Sequence, residues 1–235
     1  MQDHELIRLV DVGAMGGLQG EWFGVTDRLW PVLFEPNKAE ASKLTALMAN
    51  VSKATIVEKA LSNKDGSVNL YITRNPTCIS VLEPNEQFLA DYGIREHFAV
   101  IGREQIDCAR YDTLHRHGVV PAPDVIKIDV QGYEFEVLLG FGGLLQSCMA
   151  IKLETHLYPL YRGQRLLGDL VSLLAGFGMV LRRIEQDKLS HFHGNLVEID
   201  AYFTRDREAV RSYDAAAMEK FRIICDTLGV PPYTF

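Results

Sequence analysis

Leu6-Ile7-Arg8-Leu9-Val10-Asp11-Val12-Gly13-Ala14-Met15-Gly16-Gly17 is the stretch that decides the fold. A short apolar run stops at an acid and opens into a glycine-rich turn. Apolar residues without polar alternation suit a strand buried on both faces of a parallel sheet, and glycines let the backbone turn sharply and approach a ligand. Asp11 is then expected at the carboxyl edge of the sheet, where open α/β folds bind their ligands.

A second run, Pro31-Val32-Leu33-Phe34-Glu35-Pro36-Asn37, also stops at a carboxylate, one helical crossover further on. Glu35 at that place would accept the hydroxyls of a ribose, as the acid at the second strand does in dinucleotide folds. The glycines at 13, 16, 17 and 20 do not form Gly-x-Gly-x-x-Gly, because Met15 follows Ala14, and the chain has no Gly-Lys-Ser or Gly-Lys-Thr. A nicotinamide site and a P-loop are both disfavoured. An acid two residues before the first glycine suits a ligand that carries an amino group, such as S-adenosylmethionine.

Four further segments follow in order: Glu58-Lys59-Ala60-Leu61-Ser62-Asn63, Asp124-Val125-Ile126-Lys127-Ile128-Asp129-Val130-Gln131-Gly132-Tyr133-Glu134, Ile151-Lys152-Leu153-Glu154-Thr155-His156 and Tyr158-Pro159-Leu160-Tyr161. Together they resemble the FkbM family of S-adenosylmethionine-dependent methyltransferases, over about residues 8 to 205. The Lys-x-Asp-x-x-Gly-x-Glu block at 127 to 134 is the most specific piece. Met15 stands where the family often has Asn, and Gln131 replaces the Glu commonly found before that glycine. The resemblance implies a class I methyltransferase Rossmann-like α/β fold: a seven-stranded, mostly parallel sheet with helices on both faces. It also implies O-methyl transfer to a hydroxyl of a sugar, glycoconjugate or polyketide-like small molecule. A non-catalytic S-adenosylmethionine-binding module of the same fold is the alternative.

The 235 residues suffice for one domain, residues 1–235. A formal net charge of −7, with Lys and Arg scattered, argues against nucleic acid and against a membrane surface as partners. Cys78, Cys108, Cys148 and Cys225 form no Cys-x-x-Cys pair and read as reduced thiols of a cytoplasmic protein without a leader segment. The partner expected is a small-molecule or glycan acceptor.

Hydrophobic spacing predicts a first crossover helix from Gly20 to Arg28, a helix over Lys38–Asn50 and a third strand over Ala54–Leu61. A half-exposed strand is expected at Val68–Thr73. The long connection 75–123 reads as an insertion that carries specificity, with a helix at 85–92, a strand at 104–109 and a helix capped by Asp112. Strands at 125–130 and 149–155, helices at 133–140 and 165–176, and an antiparallel strand pair at 179–184 and 197–204 complete the sheet. A closing helix runs from Asp214 to Leu228, with Met218, Phe221, Cys225 and Leu228 on its core stripe.

The catalytic candidates are Asp129, Glu154 and His156, since methyl transfer to a hydroxyl needs a base within reach of its proton. Asp129 ranks first. Glu154 and His156 alternate on one side of a strand end, and with Asp129 they form a set able to hold a divalent ion, although no residue is assigned as a metal ligand. Cofactor contacts are expected from Asp11, Gly13, Ala14, Gly17, Glu35, Pro36, Ser62 and Asp129. Acceptor contacts are expected from Ser80, Tyr158, Tyr161 and Arg162. His115 and His117 lie two apart on a helix and face different sides, whereas His191 and His193 fall in the loop 185–195 with no ligand set at zinc spacing.

Overall fold

The computed structural model describes residues 3–186 and 191–234. In chain order the elements are β1 (Ile7–Val12), a 3-10 segment (Gly20–Arg28), β2 (Leu29–Phe34), α1 (Lys38–Leu47), β3 (Thr55–Val57), β4 (Ala60–Leu61), β5 (Gly66–Thr73) and α2 (Glu86–Asp91). Then follow β6 (Val100–Ala109), α3 (Tyr111–Arg116), β7 (Val125–Ile128), α4 (Glu134–Phe141), β8 (Ala150–His156), α5 (Leu167–Ala175) and β9 (Met179–Glu185). The hairpin β10 (His191–Phe192) and β11 (Asn195–Leu196), the strand β12 (Glu198–Arg205), α6 (Arg207–Arg211) and α7 (Ala215–Thr227) close the chain.

The central sheet has seven strands in the order β3-β2-β1-β7-β8-β12-β9. Neighbours from β3 to β8 run parallel, and β12 runs antiparallel to both β8 and β9. This is the expected seven-stranded, mostly parallel α/β sheet. The order reverses between β1 and β7, so the crevice beyond their carboxyl ends is the natural ligand site.

Period-2 alternation divides the sheet into two unlike faces. One carries Val10, Val12, Val32, Phe34, Ile126, Ile128, Ile151, Leu153, Ala201 and Phe203 and is covered by apolar residues of α3, α4 and α5. The other starts apolar, with Ile7, Leu9, Leu29, Val125 and Ala150 packed against Phe221, Ile224 and Cys225 of α7, Leu44 of α1 and Trp22. Toward the carboxyl ends of the same strands it turns polar, because Asp11, Lys127, Lys152, Glu154 and His156 continue the alternation. One side of one sheet thus serves as core in its first half and as site in its second.

Four details depart from the sequence reading. The 20–28 crossover is a 3-10 segment interrupted at Val25, whose φ of −130° is not helical. The strand expected over 54–61 is two: β3 joins the main sheet, and β4 pairs with β6 in a separate three-stranded sheet of order β4-β6-β5. The excursion does not begin at 75, since β5 and β6 form an antiparallel ladder from Gly66 and Cys108 outward. Asp112 does not cap its helix, where the residue before the first turn is Arg110. On α7, Lys220 joins Phe221, Ile224 and Cys225 as buried, and its Nζ donates to Leu6 O at 2.8 Å and Asp124 Oδ2 at 3.1 Å. Arg8 grips the same carboxylate through its backbone N–H and guanidinium, fastening β1, β7 and α7 at the end opposite the site. Burial pushes the Asp124 carboxyl up, but these bonds outweigh it and hold it below its ordinary value.

Candidate active site

Asp11 and Lys127 are register partners on β1 and β7, and parity places both on the polar half of the same face. Lys127 Nζ lies 3.1 Å from Asp11 Oδ1, 3.2 Å from Gly13 O and 3.7 Å from Asp129 Oδ2. Burial raises the Asp11 carboxyl to about 6 despite the lysine. Burial would lower the Lys127 ammonium, yet Asp11 and Asp129 keep it above its ordinary value. The amino group facing Asp11 is therefore the chain's own, which corrects the expectation that Asp11 awaits the amine of a ligand.

The glycine turn is built into the sheet. Gly13 N–H and Ala14 N–H both donate to Phe34 O at 3.2 Å, so neither amide is spare, and Ala14 is buried. Gly13 adopts φ +79°, and a Cβ there would stand 2.0 Å from Asp129 O. What excludes a side chain at 13 is the protein itself. Met15 and Gly16 are exposed, Gly17 is half-buried, and around Gly16 a Cβ would meet nothing within 4 Å. The turn is open at its tip.

Glu35 is 7% exposed and its Oε1 accepts from Asn37 N–H at 2.8 Å, so one of its oxygens is already engaged. Burial raises its carboxyl. Pro36 beside it is half-buried. Ser62 is fully buried with its Oγ 3.0 Å from Tyr133 OH, so it offers no surface to a cofactor.

Gln131, noted in the sequence only as a replacement for Glu, is the hub of the group. It sits at φ +55°, rare for a residue with a side chain. Its Nε2 donates to Asp129 Oδ1 at 3.2 Å and to Glu154 Oε1 at 2.5 Å, while its Oε1 accepts from Tyr161 OH at 3.1 Å. Ser80 Oγ donates to its carbonyl at 2.7 Å. Ser80 and Tyr161 are buried, so their hydroxyls hold Gln131 rather than face an acceptor. An amide can bridge two acids here because its NH₂ donates to both, whereas a glutamate in its place has no donor when ionised and only one when protonated.

Asp129 keeps 32% of its side chain exposed and is the accessible carboxylate of the group. Glu154 is different. Burial first, then the neighbouring charges of Asp129, Glu198, Glu134 and Asp200, hold its carboxyl well above the usual range, so at neutral pH it retains a proton and is not the free base. His156 is wholly buried, with Nδ1 2.7 Å from the Gln164 side-chain nitrogen and Nε2 3.3 Å from Glu198 Oε2. Burial removes it from contact with an acceptor and corrects its assignment as a base. Glu134, 1% exposed, accepts from Val130 and Gly132 N–H, and burial raises its carboxyl to about 7.

Beyond Glu154 the polar half-face opens into a cavity of about 610 Å³. Glu21, Lys152, Glu154, Glu198, Asp200 and Tyr202 line it, with Arg183 and Glu185 of β9 and the end of α7. Lys152 is paired with Glu21 at 2.9 Å and Asp200 at 3.5 Å, and Arg183 with Glu185 at 2.8 Å. Lys152, Glu198 and Asp200 were missed, although each left a signal. A lysine inside Ile151-Lys152-Leu153 needs a buried acid, and Val197-Glu198-Ile199-Asp200 puts two acids on one side of a strand.

The remaining candidates lie apart. Tyr158 stacks with Phe88 at 5.8 Å and neighbours Tyr92 at 6.3 Å, and Arg162, exposed, lies 3.7 Å from Glu83 Oε2. His115 Nδ1 is 3.0 Å from Val120 O, and His193, in the turn of β10–β11, has Nε2 3.2 Å from Tyr92 O. Residues 187–190 of the 185–195 loop lie outside the described residues. All four cysteines are buried and free. No helix among the described residues is long and apolar enough to cross a membrane.

With this geometry in place, residues 11–181 match the methyltransferase FkbM domain. The chain belongs to the FkbM methyltransferases. A hexuronic acid methyltransferase of Haloferax volcanii is 47% identical over 45 residues, a match that spans 19% of this chain and 19% of that protein. Among solved structures, the magnesium protoporphyrin IX methyltransferase of Synechocystis PCC 6803 with bound SAM aligns over 86% of this FkbM chain and 70% of its own, at 11% identity and TM-score 0.44. An rRNA methylase of Streptococcus thermophilus aligns over 86% and 87%, at 7% identity and TM-score 0.42.

Proposed function

We propose that this FkbM protein is an S-adenosylmethionine-dependent O-methyltransferase acting on a hydroxyl of a sugar, glycoconjugate or polyketide-like small molecule. The observation that carries this reading is the place of Asp129. It abuts the glycine turn on one side and, through Gln131, cavity-lining Glu154 on the other. The open tip of the turn at Gly16, Glu35 and Asp129 fit the cofactor and would hold it, with Pro36 and Gly17 at its edge. When bound, S-adenosylmethionine supplies an electrophilic methyl group.

Asp129 is the residue that takes the hydroxyl proton, since it is the accessible carboxylate of the group and lies 3.7 Å from the Lys127 ammonium. Gln131 aims it, and Ser80 and Tyr161 fix Gln131. Glu154 then stands as a neutral hydrogen-bond donor or acceptor to the acceptor molecule. The cavity has the size of a small-molecule site. Its free acids outnumber its cations, both of which are already paired, so a neutral or amine-bearing sugar suits it better than a carboxylate-bearing one.

Calorimetric titration with S-adenosylmethionine, followed by a methylation screen over neutral, amino and uronic sugars, tests this reading. Binding and methylation of a hydroxyl in the neutral or amino set is expected. Methylation only of amine nitrogen or of carbon would overturn O-methyl transfer, and failure to bind S-adenosylmethionine would overturn the whole reading.

A further inference from the structure

Three side chains converge at the junction of β8 and β12, and two of them, His156 and Glu198, have no part in the proposed reaction. Glu154 and His156 share a side of β8, and Glu198 is the register partner of His156 on β12. One ligand atom of each lies within 4.8 Å of the other two. The His156 imidazole is completely buried, yet its Nε2 has no hydrogen-bond partner and is aimed at this space. A buried polar atom left unpaired is costly, and a protein keeps one where something else satisfies it.

From this we infer that Glu154, His156 and Glu198 form a binding site for one divalent transition-metal ion. One imidazole nitrogen and two carboxylates suit Mn²⁺ or Zn²⁺ better than Mg²⁺, which prefers an all-oxygen shell. Two carboxylates balance the charge of the ion, and Glu198, with 33% of its side chain exposed, can close the shell by a change of rotamer. Further coordination positions face the cavity that Glu154 and Glu198 line. The expected set of Asp129, Glu154 and His156 is thereby replaced, because Asp129 leans toward Lys127 and Gln131 instead.

Gln164 makes the site conditional. Its Oε1 accepts from Tyr161 N–H at 3.2 Å, which leaves its amide nitrogen facing His156 Nδ1 at 2.7 Å. In that arrangement Nδ1 accepts and the ring proton sits on Nε2. Metal binding at Nε2 moves this proton to Nδ1 and turns the Gln164 amide so that its oxygen receives it, while the proton held by Glu154 is released to solvent as its carboxylate takes up the ion. A ligand histidine donating its second N–H to an oxygen is the usual outer arrangement. If the proposed O-methyl transfer holds, an ion here would polarise an acceptor hydroxyl in the cavity.

The test is calorimetry of the chelator-treated full chain with MnCl₂ and ZnCl₂, beside a separate titration with S-adenosylmethionine. One ion per chain is expected, with binding weakened at least about 30-fold in Glu198→Gln and within about threefold of the parent in Asp129→Asn. Nitrogen-15 spectra of the histidines should show the His156 proton passing from Nε2 to Nδ1 on addition of Zn²⁺. Glu198 is partly exposed, so its variant keeps the test decisive even if His156→Gln fails to fold. No binding at millimolar metal, or unchanged binding in a folded Glu198→Gln, overturns the site. S-adenosylmethionine binding without metal binding overturns this inference alone, whereas metal binding without S-adenosylmethionine binding supports the site and overturns the proposed function.

Discussion

Gly13→Ala and Gly16→Ala are the same chemical change in the same turn, yet the structure assigns them different costs. Both glycines have positive φ, +79° and +86°. An L residue in that region costs roughly 1 to 2 kcal/mol, and at Gly16, where a Cβ meets nothing within 4 Å, the cost ends there. At Gly13 the Cβ would lie 2.0 Å from Asp129 O. An ordinary carbon–oxygen contact is about 3.3 Å, so it must retreat by roughly 1.3 Å. That movement pulls the end of β1 from the end of β7, against the Asp129 N–H bond to Val12 O at 3.0 Å and the Lys127 Nζ bond to Gly13 O at 3.2 Å. Loss of these two bonds adds about 1 to 3 kcal/mol, so Gly13→Ala should cost about 2 to 5 kcal/mol in all. Urea unfolding followed by tryptophan fluorescence measures both variants. Equal losses would refute the reasoning, because the strain is shared and only the clash differs. S-adenosylmethionine binding should be lost in Gly13→Ala and weakened far less in Gly16→Ala.

Three further outcomes follow from the same geometry. Glu35→Ala should weaken S-adenosylmethionine binding by about 1 to 3 kcal/mol in calorimetry; an unchanged constant would remove Glu35 from the ribose. Asp129→Asn should lower turnover about 100-fold with a much smaller change in cofactor affinity, since shape is kept and the base is lost; near-normal turnover would give Asp129 a structural role. Asp11, raised to about 6 by burial, holds its proton longer in the folded than in the unfolded chain. Its contribution is therefore full stability below about pH 4, lost as pH rises to about 6, by at most ~1.4 kcal/mol per pH unit. Asp11→Asn should flatten that slope in thermal melts, and a slope identical to the parent's would place Asp11 outside it.

The sheet was legible because the information is local: predominantly apolar runs at β1, β2, β7 and β8, each closed by an acid or glycine, read as strands buried on both faces. The FkbM resemblance named the topology those strands then adopt. Boundaries failed where local pattern is indifferent to partner, as at 54–61. There one apolar run supplies β3 to the main sheet and β4 to a second one, and only the long-range ladder with β6 separates them.

At the site, residue type and strand-end position were enough to single out Asp129, Glu154 and His156. What each can do was set by the tertiary structure, because burial and neighbouring charge determine protonation and access. Asp129 stays half-exposed, Glu154 is kept protonated by burial and then by four neighbouring acids, and His156 is sealed against Gln164. Gln131, Glu198 and Lys127 become parts of the same site only when β7, β8 and β12 lie side by side, since a sequence fixes which way a side chain alternates but not whose side chain it meets.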